Sequence, residues 1–164
     1  MSEDIRFDGL EGTARVTADA AERGLAVEII ERPAASSLAE AASLMGIRPL
    51  DIVKTLVVKR SDDTYLFALV PGGRKISWPK LRALLGVNKL QMPDADRALA
   101  ATGYERGTIT PLGSRHEWPV VADESIVGAR VAMGAGAHGH SAFVDADALI
   151  AAYGASVADI TDPE

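Results

Sequence analysis

The chain has no cysteine, which excludes disulfides, thiolate metal sites and cysteine nucleophiles together. Aromatic residues are scarce, with three Phe, three Tyr and two Trp in 164 residues, and so few are usually spent on packing. No apolar run approaches the length that crosses a bilayer. The start, Met1-Ser2-Glu3-Asp4-Ile5-Arg6, lacks the basic opening and apolar block of a secretory signal. These absences lead to the expectation of a soluble, cytoplasmic protein with no membrane partner. Apolar residues make up 48% of the chain, enough for one globular domain over residues 1–164.

The net charge of −6 argues against a polyanionic partner, but its distribution argues less firmly. Between Lys54 and Lys89 eight basic residues meet two acidic ones, a local +6 on a remainder of −12. Such a segment permits steering of a polyanion to one face, although a solvated surface explains it equally well.

Helices are expected over Thr13 to Arg23, and from the capping-box sequence Ser37-Leu38-Ala39-Glu40 to Met45. Three more follow: Ser77-Trp78-Pro79 to Gly86, Pro93-Asp94 to near Gly103, and Asp145 to Tyr153. Strands are expected over residues 25–31, 51–58, 64–70, 120–122, 129–133 and 141–144, with a closing strand at 156–160. The second and third of these form a hairpin about Ser61-Asp62-Asp63. Hairpins mixed with helices, without steady alternation, predict an α/β (α+β) domain. Its sheet should be curved, mixed and partly barrel-like, flanked by helices.

Lys54 stands out, since it lies inside the apolar run Asp51-Ile52-Val53-Lys54-Thr55-Leu56-Val57-Val58. Lysine is rarely buried, because its ammonium loses hydration in an apolar interior. Either it snorkels to water with its stem on the sheet, or its face opens into a pocket that wants a cation. The segment Gly103-Tyr104-Glu105-Arg106-Gly107-Thr108-Ile109-Thr110-Pro111-Leu112-Gly113 is the second clue. Amides from Gly107 to Thr110 could converge on a carbonyl or oxyanion, with Pro111 stiffening the turn; a plain structural loop is the competing reading.

Gly134-Ala135-Gly136-Ala137-His138-Gly139 matches the dinucleotide pattern GxGxxG, but the strand–helix context is missing. His138 and His140 could begin a zinc site, yet no third ligand stands at a recognisable spacing. Ser141 beside His140 and Asp145 lacks a nucleophile elbow. Trp78, Trp118, Tyr65 and Tyr104 are the aromatics able to stack a base, with packing the commoner use.

Four segments recur together in one order: Ala41-Ala42 before Gly46-Ile47, the Lys54 strand, Gly103-Tyr104-x-x-Gly107-x-x-x-Pro111-x-Gly113, and Gly134-x-Gly136-x-x-Gly139. In this the chain resembles the YbaK/ProX family of aminoacyl-tRNA deacylases, related to the editing domain of bacterial prolyl-tRNA synthetases, over roughly residues 25–160. The resemblance implies a free-standing, trans-editing hydrolase that cleaves the ester of mischarged tRNA, with Cys- or Ala-tRNA(Pro)-like substrates. It implies Lys54 and the loop Gly107, Thr108, Ile109, Thr110 and Pro111 as the catalytic set. Arg32, Thr55, Gly113, Gly134, Gly136, His138 and Ser141 are the implied substrate-binding residues. No metal or cofactor is implied; the tRNA acceptor end is the partner, with a synthetase as a further one. The chain departs from relatives at Ile30 and Arg32, where some carry tyrosine or histidine. It departs again at Gly134 and Ser141, where some carry serine and then aspartate. The alternative is a non-catalytic binding module of the same fold.

Overall fold

The structure is a computed structural model that describes residues 5–164; Met1 to Asp4, part of the start read above for a secretory signal, lie outside the described residues. In chain order the elements begin with α1 (Thr13–Arg23), β1 (Val27–Glu31), α2 (Leu38–Met45), β2 (Val53–Arg60) and β3 (Tyr65–Pro71). They continue with β4 (Arg74–Ile76), α3 (Trp78–Leu85), β5 (Leu90–Gln91), α4 (Ala95–Thr102) and β6 (Val120–Asp123). The last are β7 (Arg130–Gly134), β8 (His140–Asp145), α5 (Ala146–Tyr153), β9 (Ser156–Ala158) and β10 (Thr161–Pro163).

The helix starts follow from side chains that accept the first free amides. Ser37 accepts from the Glu40 amide at 3.0 Å, Asp94 from Arg97 at 2.8 Å, and Asp145 from Ala148 at 2.9 Å. The expected capping box is only half made, because the Glu40 carboxylate takes the hydroxyl of Ser36 at 2.9 Å instead of returning to Ser37.

Three sheets carry the architecture. The largest runs β5-β2-β3-β6-β9 and is mixed: β2 pairs antiparallel with β3 and β5, whereas β3–β6 and β6–β9 are parallel. An antiparallel sheet β1-β8-β7 meets it at a single parallel bridge, Ile52 to Ala132. The described strands therefore join at a corner and do not close into a ring. β10 pairs with β4, bringing the 161–163 segment against Arg74 and Lys75.

Strand alternation divides the core. Val53, Val57, Phe67, Leu69, Val120 and Ala122 face one apolar cluster shared with α1, α5 and the β1-β8-β7 sheet. Val58, Leu66, Ala68 and Val121 face a second cluster, with Leu81 of α3 and Ile160. Both faces of the central sheet are thus covered, and what distinguishes β2 is its edge. One side pairs with β3 throughout; on the other, the described strands reach only Ile52 and then Lys59 and Arg60. The stretch between those points is an open strand edge at the corner where the two larger sheets meet.

Candidate functional site

A cavity of about 400 Å³ lies along that open edge, within the size range of small-ligand sites. The start of β2 supplies one wall, the end of β7 and the start of β8 another, and the 106–109 loop a third. Arg32 after β1, Ala41 and Met45 of α2, Met92 and Pro93 ahead of α4, and Ala98 within it complete the lining. Because the cavity follows an edge and not a face, successive residues of β2 contribute to it. Lys54 and Thr55 both border it although alternation sends their side chains to opposite faces.

Lys54 is exposed, lines this cavity, and makes no hydrogen bond or ion pair among the described residues. Its exposure fits a snorkelling stem, and the surface it reaches is the wall of a cavity. Thr55 adds a hydroxyl whose oxygen is buried and has no partner among the described residues.

The 103–113 loop is locked from behind. The Tyr104 hydroxyl donates to the Leu112 carbonyl at 2.6 Å, drawing the loop's ends together. Burial pushes the Tyr104 phenol well above its ordinary pKa. Asp19 of α1, fully buried, accepts from the Gly113 amide at 2.8 Å, from Arg23 Nε at 2.9 Å and from the Tyr153 hydroxyl at 3.1 Å. Arg15 donates its Nε to the Gly113 carbonyl at 2.8 Å and spends its other nitrogens on the carbonyls of Arg6, Phe7 and Leu10. Gly113 is needed for this closure: its φ of 78° lies in the left-handed region, and an added Cβ would sit 2.6 Å from the Arg15 backbone carbon.

The residues implied as site residues separate into two groups. Lys54, Gly107, Ile109, Arg32, Thr55, Gly134 and Ser141 line the cavity. Thr108, Thr110, Pro111, Gly113, Gly136 and His138 are not in its lining. The Thr108 amide and hydroxyl both donate to the Glu105 carbonyl, at 3.0 and 2.8 Å, so neither is free for a ligand. Thr110 is buried, with its hydroxyl accepting from Leu112. Pro111 is buried behind the loop. Gly136 donates to the Thr108 carbonyl at 3.0 Å and backs onto Gly12 and Tyr104. Exposed His138 lies 3.3 Å from Glu105, while His140, which does line the cavity, lies 3.7 Å from Glu31. The two imidazoles diverge, and among the described residues no group of three metal-ligating side chains is gathered.

The amides of Gly107, Ile109 and Thr110 donate to no protein group among the described residues, so part of the expected row of donors is unspent. Gly134 explains how closely the loop approaches β7. A Cβ there would lie 3.1 Å from both the Ile109 carbonyl carbon and the Thr108 oxygen, and closer still to the Ile109 oxygen. On β8, Ser141 is buried and its Oγ accepts from Arg32 Nε at 3.0 Å.

Sequence reasoning missed Arg106, Met92, Pro93, Ala98, Met45 and His140 as cavity walls. Arg106 stood inside the quoted loop and its charge was the available signal; the others come together only through tertiary packing. The basic segment also reads differently in three dimensions. Lys59 pairs with Asp63 at 3.2 Å, and Lys80 with Asp159 and Asp162 at 2.9 and 3.1 Å. Arg74 is held by Thr161 at 2.7 Å. The acidic 159–162 segment thus offsets part of the local +6. The aromatics pack as the commoner reading had it: Tyr65 meets Trp118 in a tilted contact with ring centroids 5.3 Å apart, Tyr104 is buried, and none lines the cavity. No helix among the described residues is long and apolar enough to cross a membrane.

The family model for the aminoacyl-tRNA editing domain matches residues 32–152. A proline–tRNA ligase of Trichlorobacter lovleyi is 33% identical over 97 residues, covering 59% of this chain and 17% of the ligase. That of Thermosipho africanus is 35% identical over 108 residues, covering 66% of this chain and 18% of the ligase. The chain thus spans less than a fifth of these relatives. The crystal structure of a proposed trans-editing enzyme for prolyl tRNA synthetase superposes with a TM-score of 0.84 at 27% identity, covering 92% of this chain and 96% of that one. Hypothetical protein APE2540 gives 0.82 at 25% identity, covering 90% and 99%.

Proposed function

The chain belongs to the aminoacyl-tRNA editing-domain family, and from that premise we propose that it hydrolyses the ester of a mischarged aminoacyl-tRNA. The single observation that carries the proposal is a conjunction at one cavity. An ammonium with no partner of its own, Lys54, borders the same space as Gly107 and Ile109, whose amides are unspent. A cation beside unspent amides suits an ester whose carbonyl gains negative charge in the transition state. Water attacks the carbonyl carbon, and the developing oxyanion is held by the loop amides. The C–O bond to the terminal ribose breaks, and the ribose oxygen takes a proton derived from the attacking water. A free amino acid and an uncharged tRNA end result. An aminoacyl ester is already activated, so positioning and oxyanion stabilisation carry much of the rate.

On this reading residues 1–164 act as one editing domain, the acceptor end of tRNA is its partner, and the cytoplasm is its place of work. The superposition on the proposed trans-editing enzyme for prolyl tRNA synthetase, with a TM-score of 0.84 over 92% of this chain, supports the editing reading. Lys54, Gly107, Ile109, Arg32, Thr55, Gly134 and Ser141 are the site residues the reading retains. Thr108, Pro111 and Gly113 support them from behind the loop.

A binding module without turnover is the second reading, favoured by the lack of any carboxylate among the lining residues to serve as general base. Incubating the purified chain with a panel of mischarged tRNAs separates the two. Loss of ester above the spontaneous rate for at least one member supports the deacylase. Saturable binding with no ester loss supports the module.

A further inference from the structure

Among the described residues the cavity wall holds three cationic side chains, Arg32, Lys54 and Arg106, and no acidic one. Arg32 differs from the other two because a partner fixes its direction. Its Nε donates to Ser141 Oγ at 3.0 Å, and its main-chain amide is tied to the Gly139 carbonyl at 2.9 Å. Ser141 is more than nine-tenths buried, so this contact is shielded from competing water. The pair still has donors to give. Both terminal nitrogens of Arg32 and the hydroxyl proton of Ser141 meet no protein acceptor among the described residues. The oxygen of Thr55, also on the wall, has no partner either.

A guanidinium held at Nε on a cavity-lining residue, with both terminal nitrogens unpaired among the described residues, matches a planar oxygen acceptor, and a carboxylate matches it bidentately. Apolar side chains such as Met45, Ile52 and Met133 complete the wall but offer no site for a second cation. We propose that Arg32, held by Ser141, is the specificity-determining residue for the amino acid, and that the preferred aminoacyl group carries a side-chain carboxylate. This rests on the deacylase reading for its biological meaning, but not for its test. Lys54 and Arg106 are left for the backbone of the ester and the nucleotide.

The test uses hydrolysis-resistant aminoacyl-adenosines, amide-linked at the 3′ position, carrying aspartate, asparagine or leucine. These side chains are close in size and differ in charge and acceptor capacity. Binding to the purified chain should rank aspartate above asparagine and asparagine above leucine. A charge-assisted hydrogen bond corresponds to a preference for aspartate over leucine of about tenfold or more. Arg32→Met should abolish that preference, and Arg32→Lys should restore it only in part, because lysine keeps the charge without the fork. Leucine bound as tightly as aspartate would overturn the inference. So would equal weakening of all three analogues in Arg32→Met, which would assign Arg32 to the nucleotide. Parallel turnover of the corresponding esterified tRNAs keeps the two ideas apart. Preference without turnover would sink the deacylase and leave Arg32 standing; turnover without preference would do the reverse.

Discussion

Replacing Gly134 with alanine probes the contact that sets the height of the 106–109 loop over the cavity. The added methyl would meet the Ile109 carbonyl well inside 3.0 Å, with the Ile109 carbon and the Thr108 oxygen at 3.1 Å. All three atoms belong to the backbone, so no rotamer change relieves the clash. Ordinary contact begins near 3.4 Å, and either the loop withdraws or β7 bends, by roughly 1 Å at the closest atom. Retreat of the loop is resisted by the Gly136 amide on the Thr108 carbonyl and by the Tyr104, Arg15 and Asp19 contacts behind it. Inserting a methyl into such a site costs about 1–3 kcal/mol. For a chain of this size that lowers the melting temperature by roughly 3–10 °C. On the proposed reading, in which this loop binds the oxyanion, a displacement of about 1 Å reduces kcat/KM on the order of a hundredfold. Thermal unfolding read beside single-turnover deacylation measures both. A variant with the parent's melting temperature and the parent's rate would refute the claim that the loop rests directly on Gly134.

Asp19→Ala removes the carboxylate that joins α1, the loop and α5. It leaves the Gly113 amide and the Tyr153 hydroxyl without their acceptor and takes one of two carboxylates from Arg23, for a cost of about 3 kcal/mol by denaturant melts, the lower end for a buried pair because Arg23 keeps Glu117 at 2.7 Å. A loss under 1 kcal/mol would show that the hub is not structural. Alkaline pH should destabilise the fold through Tyr104 and Tyr153, whose phenols burial raises above their ordinary value of 10.0. The neutral form is favoured in the folded state. Their contribution is therefore fully present below pH 10 and is lost as pH rises from there toward the folded values, at about 1.4 kcal/mol per pH unit for each tyrosine. Tyr104→Phe should flatten part of this slope in melts taken between about pH 10 and 12, and an unchanged slope would contradict the assignment.

Local signals in the sequence were legible where one residue sets the backbone. Ser37, Asp94 and Asp145 announce helix starts because their side chains reach amides three residues on. The central strands were legible because both faces are apolar and their turns are marked. Strand β4 and its partner β10 were missed as a pair: each is three residues long, and their pairing joins segments more than eighty residues apart. The site divides in the same way. Lys54 declared itself as a charge in an apolar run, and the glycine–proline loop as a break in periodicity. Which loop amides are free was not legible, since the Thr108 amide turns back to Glu105 while those of Gly107 and Ile109 do not. Nor did charge counting reveal that Asp159 and Asp162 fold over Lys80.

The central claim is that the Lys54 ammonium acts on the substrate and does not merely snorkel from the sheet. The direct measurement is the first-order rate of ester loss from a mischarged tRNA that the parent hydrolyses, under enzyme excess, with Lys54→Ala and Lys54→Met. Lys54 is exposed and without a partner among the described residues, so both variants should keep the parent's melting temperature. Loss of a charge-assisted contact to the reacting group should slow both by about ten- to a hundredfold. A fully folded Lys54→Met chain that deacylates at the parent's rate would contradict the account.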